Sequence, residues 1–372
     1  MTPAGPTHVI RADVAREFGK RVFEAVGIPS QHAADAADVL VWASLRGVDS
    51  HGLRNLKRYY VDWILDGTIN PRPEFQVEYE TPVSARTDGD HGLGLAAGCW
   101  AMGLAIDKAA KSGTGFVTMR NSHHLGPIGY FACRALEHDM VGISMSGFAF
   151  AQGRDFGMAP TFGARPTLGT NPLSFAFPGA EERPFVLDMA TSVVPYNRVL
   201  LLSEAGHESI PPGWALDRDG RPTTDPGAVS AMLPLGGARE QGGHKGYGLA
   251  MVVELLSGVL SGAWCESEAA ADDDGSAGTT YRQKDYAHFF GAFRLDLFRP
   301  PGEFKKGLDE LVRGVRACPL EPGADRIRVA GEPEHEMEEE RGRTGIPLTD
   351  DTVGELRQLS ATYGVKLEIG KA

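Results

Sequence analysis

The chain has 372 residues, 42% of them hydrophobic and 23% charged, which is typical of a globular protein long enough for two or three domains. A formal net charge of −12 and the lack of a basic block argue against nucleic acid or an anionic membrane surface as a partner. Four cysteines without a CxxC pair predict neither a zinc ribbon nor a redox motif, and without a secretory signal pattern we expect a reducing, cytoplasmic setting.

The first part of the chain has the pattern of a helical region. Apolar residues three and four positions apart predict helices over residues 12–26 and 31–45. A polar break follows at residues 46–52, and a third helix is predicted over residues 53–65. We therefore expect the first 65 residues to be helical.

From about residue 80 the sequence changes to short β-rich runs bounded by Pro, Gly or Asp, which favours an α/β region. The long apolar run 246–264 contains Glu254, so we expect a buried core helix there rather than a membrane span. Residues 266–280 are acidic and lack an apolar period, which favours an exposed loop. The predicted strands cover residues 116–120, 141–145, 173–177, 185–187 and 288–297, and a helix is predicted over 128–137.

The helical pattern returns at the C-terminal end, over residues 334–341 and 350–363. Each amphipathic helix must bury its apolar face, so the two helical ends are expected to pack together. The predicted organisation is a helical domain made of residues 1–78 with 325–372, and an α/β domain inserted between them at 79–324.

Gly92, Gly94 and Ala97 fit the G-x-G-x-x-A pattern of Rossmann dinucleotide sites. That pattern requires a buried strand before it and an acidic residue about 20 positions later. Residues 86–90 resemble a turn more than the end of a strand, and Asp107 comes too early. A turn that opens a helix is the favoured interpretation, so a standard Rossmann fold is not predicted.

The polar break between the second and third helices holds a first candidate site, in the sequence RGVDSHGLR. His51 is flanked by Ser50 and Gly52, where an accessible imidazole can exchange protons at about pH 7. Arg54 follows three residues later, and its guanidinium could hold a carboxylate beside the imidazole. The alternative is that Ser50 caps the third helix and His51 merely lies near its N-terminus.

A second candidate site follows the strand predicted over residues 116–120, in the sequence NSHHLG. Loops at strand ends are where α/β proteins place reactive groups. His123 and His124 are adjacent and cannot both face inward from an extended segment, so one of them is expected to be functional. No further ligands with suitable spacing accompany them, and no metal is predicted.

Two other segments could support such chemistry. Asp188 ends an apolar run and could orient a histidine, although a helix N-cap is an equal alternative. His244 and Lys245 lie in a glycine-rich entry to the apolar run, where N–H groups and a positive charge would suit a phosphate. The alternative for this segment is a glycine-rich entry to a tightly packed helix.

Taken together, these segments resemble the type II malate/L-lactate dehydrogenase family, which includes sulfolactate, ureidoglycolate and diketogulonate oxidoreductases and imine-reducing relatives. The matching stretches are collinear from about residue 40 to residue 335: RGVDSHGLR, NSHHLGPIGYFA, LGTNPLSFAFP, FVLDMATSVV, PPGWALDRDGRPTTDP, GGHKGYGLAMVVELLSG and RVAGEPE. The resemblance implies a non-Rossmann α+β fold, in which a helical domain from both termini carries an inserted, predominantly antiparallel nucleotide-binding domain. It also implies a homodimer.

The resemblance assigns roles to individual residues. It implies that His124 or, as second choice, His51 transfers a proton, with Asp188 as a further catalytic residue, and a pKa of about 7 would suit that role. Substrate contacts are implied for Arg54, Ser50 and Ser146. Cofactor contacts with NAD or NADP are implied for Thr170, Asn171, His244, Lys245, Gly331 and Glu332.

The predicted function is reversible hydride transfer between a nicotinamide and a small 2-hydroxy acid, such as malate, lactate or sulfolactate. Two alternatives stay open: an imine reductase of the same family, and a non-catalytic protein that keeps the fold. The sequence departs from the family pattern at His123, at Gly147 and over residues 195–198, which leaves the substrate open. The choice between NAD and NADP is also left open.

Overall fold

Helices and strands alternate along the chain in this computed structural model, which describes residues 8–148, 157–204, 206–263 and 286–371. The β-strands are β1 (His8–Ile10), β2 (Gln76–Glu80), β3 (Ser84–Asp88), β4 (Thr114–Ser122), β5 (Met140–Phe148), β6 (Leu173–Phe177), β7 (Phe185–Met189), β8 (Ala215–Leu216), β9 (Pro222–Thr223), β10 (Ala231–Met232), β11 (Tyr286–Arg294), β12 (Ile346–Leu348) and β13 (Gly370–Lys371). The α-helices are α1 (Ala12–Ala25), α2 (Ser30–Leu45), α3 (Asp62–Leu65), α4 (Gly94–Ser112), α5 (Gly129–Arg134), α6 (Tyr196–Glu204), α7 (Gly243–Glu254), α8 (Pro301–Arg316), α9 (Glu332–Thr344) and α10 (Asp350–Tyr363).

The N-terminal helices lie where the apolar periodicity predicts them. α1 buries the face that its apolar residues define, including Phe18, whereas α2 is buried on most sides in its second half, including Leu40. The helix predicted over residues 53–65 differs, because it is a π-helical turn at Leu56–Val61 followed by the short α3. A single 3₁₀ turn at Asp49–His51 precedes it.

The predicted strands and the C-terminal helices are also confirmed. β6 and α10 have the predicted bounds, whereas β4, β5 and β7 extend beyond theirs. The strand predicted over residues 288–297 is β11, which ends at Arg294. The sequence patterns miss α6, α8 and the short strands near both chain ends, and the acidic segment 266–280 lies outside the described residues.

Seven strands form the main sheet, in the order β2-β3-β4-β11-β5-β6-β7. Neighbouring strands in it are antiparallel except for β3 and β4, which run parallel and are connected by α4. The expectation that residues 86–90 form a turn is wrong, because β3 continues to Asp88, which pairs with Arg120 on β4. α4 begins at Gly94, so the pattern G-x-G-x-x-A does open a helix.

Both ends of the chain meet in a small antiparallel sheet with the order β12-β1-β13. The ends therefore pack together as predicted. They also share their core with the main sheet, since the largest hydrophobic cluster includes Phe18, Leu40, Met102, Phe290 and Leu356. The domain division into residues 1–78 with 325–372 and residues 79–324 stays a prediction.

Within the apolar run 246–264, residues 246–254 belong to α7, which begins at Gly243, and Leu255–Val259 form a π-helical continuation; residue 264 lies outside the described residues. Glu254 is buried on its inner face. The expectation of a buried core helix holds for this inner face, whereas the outer face exposes Val252 and Leu255. Within the described ranges, none of the helices combines the length and the apolar character needed to cross a membrane.

Asp309 on α8 holds the turn between β6 and β7. Its carboxylate is buried and accepts hydrogen bonds from the backbone N–H groups of Ala180, Glu181 and Glu182, at 3.1, 2.9 and 3.3 Å. Burial alone would raise the pKa of Asp309, but the three donors and the Arg313 guanidinium outweigh burial, and the pKa lies below its ordinary value. The ionised carboxylate therefore stabilises the fold at this turn.

We expect Asp309→Asn to lower the melting temperature, because an amide is a weaker acceptor than the carboxylate that binds three N–H groups. Because the pKa of Asp309 is lower in the folded protein than in the unfolded chain, the carboxylate contributes fully to the free energy of unfolding above the unfolded-chain pKa of about 4. This contribution is lost as the pH falls toward the pKa of the folded protein. The difference in melting temperature should therefore shrink below about pH 4.

Calorimetric unfolding from acid to neutral pH measures this difference. Glu310→Gln is the matched control, because Glu310 is exposed on the same helix. An Asp309→Asn variant that melts at the wild-type temperature at pH 7 would show that the turn does not depend on this carboxylate.

Candidate functional site

Two histidines from distant parts of the chain stack against each other. His51 ends the 3₁₀ turn after α2, and His124 lies in the loop after β4. Their ring centroids are 5.5 Å apart, with 22° between the planes. The two residues predicted as alternatives for proton transfer are therefore direct neighbours.

The hydrogen bonds of His124 indicate which ring nitrogen carries its proton. Nδ1 lies 2.9 Å from the hydroxyl oxygen of Tyr60 and 3.3 Å from the backbone nitrogen of Gly126. Because a backbone N–H can only donate, Nδ1 is the acceptor, and we assign the proton of the neutral ring to Nε2. The Tyr60 hydroxyl, which is buried, then donates to Nδ1 as well. Nε2 is thus the nitrogen that these two contacts leave available.

Aromatic rings and a hydroxyl surround the histidine pair. Tyr59 stacks on His124 at a centroid distance of 5.6 Å, and Tyr286 meets His124 edge-on at 6.0 Å. The hydroxyl of Ser50 lies 2.8 Å from Nδ1 of His51, so Ser50 contacts the ring rather than capping the following helix. Among the described residues there is no group of three or more His, Cys, Asp or Glu side chains that could hold a metal ion.

The exclusion of water lowers the pKa of both histidines. Burial lowers the pKa of His51 to about 4, and the nearby Arg54 guanidinium contributes to this shift. Burial, together with His51 and His288, lowers the pKa of His124 to about 3. These values lie below the pKa of about 7 that suits proton transfer in both directions, because the packed walls disfavour the imidazolium form. Both imidazoles are neutral at pH 7.

A cavity of about 550 Å³ opens beside His51. It lies between the polar break after α2, the turn before β6, the end of β7 and the turn before α9. Gly126, from the loop of His124, also lines this cavity. The cavity brings together five of the predicted site residues, namely Ser50, His51, Thr170, Asp188 and Gly331.

Arg46 adds buried N–H donors to the wall of this cavity. Its Nη1 donates to Glu338 at 2.6 Å, and its guanidinium lies 4.6 Å from the centroid of the Trp42 ring. Its Nε and Nη2 are buried and have no hydrogen-bond partner among the described residues. Because buried donors without a partner cost free energy, an oxygen of a bound ligand would stabilise this arrangement.

Asp188 lines the same cavity but contacts a helix end rather than a histidine. Its Oδ2 accepts a hydrogen bond from the N–H of Gly129, the first residue of α5, at 2.9 Å. The carboxylate remains accessible from the cavity. The surrounding walls nonetheless raise its pKa to about 6, and Glu334 adds to the shift. Two roles were predicted for Asp188, a helix cap and a contact that orients a histidine. The structure shows a helix cap, at the start of α5.

Arg54 lines a second cavity, of about 540 Å³. Its Nη2 lies 3.0 Å from each carboxylate oxygen of Glu204, at the end of α6. Its Nη1 is buried, and no described residue forms a hydrogen bond with it. Since Arg54 is close enough to lower the pKa of His51, the guanidinium and the imidazole pair belong to one electrostatic site.

Ser146 and Asn171 are engaged within the protein. Ser146 is buried in β5, with its hydroxyl oxygen 3.0 Å from Nδ1 of His288 on β11. Asn171 is fully buried, and its side-chain amide donates to a carboxylate oxygen of Glu254 at 2.8 Å. The structure does not bring either side chain into the cavity beside His51.

Glu332, His244 and Lys245 also lie outside the lining of that cavity. Glu332 accepts from the backbone N–H of Val329 at 3.0 Å and forms an ion pair with Arg316. His244 and Lys245 begin α7, where Lys245 is exposed and Nδ1 of His244 is buried without a hydrogen-bond partner in the described part of the chain. Their predicted contacts with a cofactor stay predictions.

Tyr60, Glu204 and His288 are parts of the site region that the sequence did not indicate. Tyr60 lies in a helical pattern, where an aromatic residue is most simply part of the core. The only sequence-based indication of its role is that the hydroxyl of a buried tyrosine needs a hydrogen-bond partner. Glu204 and His288 come from segments far from their partners along the chain, so no local pattern connects them.

Comparison with known proteins agrees with this geometry. A sequence profile described as malate/L-lactate dehydrogenase matches residues 10–357. The malate dehydrogenase of Pyrococcus abyssi is 40% identical over 96% of this chain and 95% of its own length. The L-sulfolactate dehydrogenase of Methanocaldococcus jannaschii is 35% identical over 93% of this chain and 95% of its own. The crystal structure of malate dehydrogenase from Entamoeba histolytica has a TM-score of 0.87 and 34% identity, covering 97% of this chain and 99% of that one.

These matches define the class of protein as a dehydrogenase that acts on hydroxy acids. The chain belongs to the malate/L-lactate dehydrogenase family, which confirms the resemblance of its motifs. Its mixed α/β fold is likewise that of a solved malate dehydrogenase.

We expect His51 and His124 to be neutral at pH 7 and to titrate with pKa values of about 4 and about 3. In the unfolded chain both histidines have the ordinary pKa of about 6.5, so on acidification they are protonated at a higher pH than in the folded protein. The free energy of unfolding should therefore decrease as the pH falls below about 6.5. Long-range ¹H–¹⁵N NMR spectra report both the titration and the Nε2–H tautomer of His124. The His51→Gln and His124→Gln variants identify the resonances, and midpoints near 6.5 would contradict the water-excluded geometry.

Proposed function

We propose that the protein catalyses reversible hydride transfer between a nicotinamide cofactor and C2 of a small 2-hydroxy acid of the malate, lactate or sulfolactate type. The observation that carries this proposal is the stacked, neutral pair His51 and His124 beside the buried guanidinium of Arg54. Oxidation of a hydroxy acid needs a base for the hydroxyl proton and a cation for the carboxylate. The relatives named malate and L-sulfolactate dehydrogenase support the same chemistry.

His124 is our first choice for proton transfer, and His51 is the second. When the hydroxy acid is oxidised, a free ring nitrogen must accept the hydroxyl proton. In the Nε2–H tautomer assigned above, Nε2 has no lone pair, so the ring proton must first move to Nδ1. The Tyr60 hydroxyl, 2.9 Å from Nδ1, can accept as well as donate and would then accept this proton's hydrogen bond, while the longer 3.3 Å contact from the Gly126 N–H would be given up. Nε2 is then the base, and in the reduction direction the proton returns from Nε2 to the substrate oxygen.

Arg54 would hold the carboxylate of the substrate. A guanidinium binds a carboxylate in one plane, which fixes the direction of C2 relative to the imidazole. The bound carboxylate would also offset the positive charge by which Arg54 lowers the pKa of His51. Substrate binding would therefore raise the pKa of His51, although burial, the larger cause of its lowered value, would remain.

The cavity beside His51 has the donors and acceptors that a nicotinamide dinucleotide requires. The buried Nε and Nη2 of Arg46, which have no partner within the described ranges, would suit a phosphate. The carboxylate of Asp188 would accept from ribose hydroxyls, and Thr170 and Gly331 would add hydroxyl and backbone contacts. NAD or NADP supplies or accepts the hydride when bound, while these residues hold and orient it.

A panel of 2-oxo acids with both reduced cofactors tests this function. Oxaloacetate, pyruvate and 3-sulfopyruvate are each supplied with NADH or NADPH, and the loss of reduced-nicotinamide absorbance is followed. We propose that at least one acid is reduced without an added amine. Turnover only in the presence of ammonia or methylamine would identify an imine reductase instead. Failure of both NADH and NADPH to bind in a fluorescence titration would indicate a non-catalytic protein.

We expect His124→Gln to lower kcat for the best acid by a factor of about one hundred or more, the contribution typical of general acid–base catalysis. KM should change little, because Arg54 and not His124 would hold the carboxylate. His138→Gln, at an exposed position after α5, is the control and should retain wild-type turnover. The assignment of the proton-transfer role would be wrong if His124→Gln and His51→Gln both kept kcat close to the wild-type value.

We also propose that the chain forms a homodimer through the outer face of α7 and its π-helical continuation. Four apolar side chains there are 37% to 51% exposed, namely Met251, Val252, Leu255 and Val259. Their spacing places them on one side of the helix, and the single charged residue in the run, Glu254, is buried on the other. An uncharged apolar stripe is typical of an interface, and in a two-fold dimer it would pack against its own copy.

We expect the wild type to have the mass of a dimer in size-exclusion chromatography with light scattering, and Leu255→Glu to have the mass of a monomer. The reason is that a charge buried without a partner in an apolar interface is strongly unfavourable. Leu311→Glu introduces the same charge at an exposed position on α8 and should leave the dimer intact. A monomeric wild type, or a dimeric Leu255→Glu variant, would contradict this interface.

A further inference from the structure

The end of α6 places a carboxylate on the arginine that we propose for the substrate. Both oxygens of Glu204 lie 3.0 Å from Nη2 of Arg54, and one of them lies 3.6 Å from Nη1 of Arg58. Arg58 has a second carboxylate partner, Glu355 on α10, at 2.8 Å. For Arg54, Glu204 is the only carboxylate within ion-pair distance among the described residues. Glu204 is thus in contact with the same guanidinium that a substrate carboxylate would use.

The contact uses only part of the hydrogen-bonding capacity of Arg54. Nη2 is occupied by Glu204, whereas Nη1 is buried and has no acceptor among the described side chains. A guanidinium binds a carboxylate most strongly through two parallel N–H···O bonds. A substrate carboxylate can form both of these bonds through Nη1 and Nη2 only if Glu204 gives up Nη2.

The ion pair between Arg54 and Glu204 can also be replaced by another anion. Arg54 is 10% exposed but Glu204 is 42% exposed, and a solvent-accessible ion pair is weak. α6 packs its buried Val199 into a small cluster with Ile210 and Val229 that is separate from the main core. Asn197, on the first turn of α6, donates to the Ser50 carbonyl at 3.2 Å and accepts from the Tyr59 hydroxyl at 3.1 Å. Water or a ligand can replace polar contacts of this kind at low cost.

We propose that Glu204 sets the affinity for the substrate by competing with its carboxylate for Arg54. In the ligand-free protein Glu204 compensates the charge of Arg54, and an incoming 2-oxo or 2-hydroxy acid displaces it from Nη2. Glu204 therefore disfavours weakly bound acids and acts on binding rather than on the chemical step. This inference rests on the proposed role of Arg54 as the carboxylate-binding residue.

A purely positioning role for Glu204 would have the opposite consequence. If Glu204 only held Arg54 in place, its neutralisation would let the guanidinium move and would weaken substrate binding. If Glu204 competes, its neutralisation removes a rival anion and strengthens substrate binding. The sign of the change in KM therefore separates the two roles.

The experiment compares Glu204→Gln with the wild type, using oxaloacetate and saturating reduced cofactor. We expect KM to fall by a factor of about two to five, the range set by the strength of exposed ion pairs, with kcat unchanged. Glu208→Gln is the matched control, since Glu208 is exposed four residues further along and its loss changes the net charge equally. A KM for Glu204→Gln that is unchanged or higher than that of the wild type overturns the proposal.

A titration that does not depend on turnover separates failure of this inference from failure of the proposed function. Isothermal titration calorimetry measures the binding of oxamate, an unreactive analogue of a 2-oxo acid, to the protein loaded with NADH or NADPH. Glu204→Gln should bind oxamate more tightly, and Arg54→Leu should bind it about tenfold more weakly. If Arg54→Leu binds oxamate like the wild type, the carboxylate role of Arg54 fails and the role of Glu204 fails with it. If only Glu204→Gln behaves contrary to expectation, the competition alone is wrong.

Discussion

The closeness of two partly buried imidazoles is the constraint on which the rest of the candidate site depends. Two imidazolium ions with ring centroids 5.5 Å apart would repel each other, and the exclusion of water raises the cost of each charge. The aromatic rings of Tyr59, Tyr60 and Tyr286 pack around His124 and favour its neutral form. A neutral imidazole beside a guanidinium can accept a proton while a neighbouring anion is held. The electrostatics of the site therefore follow from how the walls pack.

Two glycines fix the loops that carry these histidines. A Cβ on Gly52, directly after His51, would overlap the hydroxyl of Ser44 on α2. A Cβ on Gly94, at the start of α4, would overlap the carbonyl oxygen of His123. Each loop is thus held against a helix at a contact too close for any side chain. Gly94 belongs to the G-x-G-x-x-A segment, and the structure shows it in close contact with the loop that carries His124.

Sequence patterns predict the parts of this protein whose stabilising contacts are near in sequence. α1, α2, β6 and α10 follow from apolar periodicity. β1, β12 and β13 do not, because each has two or three residues and exists only by pairing with a strand far along the chain.

The same distinction applies to the candidate site. His51 and His124 can be found because they lie in polar breaks between apolar runs. Tyr60 has the pattern of a core residue, and Glu204 lies 150 positions from its partner Arg54, so only the folded chain shows their roles. Ser146 and Asn171 match family motifs, but strand register and helix packing turn them toward His288 and Glu254.

Two cations near the site share one arrangement, which explains how an acidic chain can serve anionic ligands. Arg46 and Arg54 are 4% and 10% exposed, whereas their partners Glu338 and Glu204 are 34% and 42% exposed. Each guanidinium is compensated from the solvent side, because a counter-ion lowers the free energy of a largely buried charge. Each also keeps buried N–H groups that bind no other described residue. An anion bound at the proposed sites would therefore meet the donors of these two buried guanidiniums, and the net charge of −12, spread over the whole chain, would not decide what binds there.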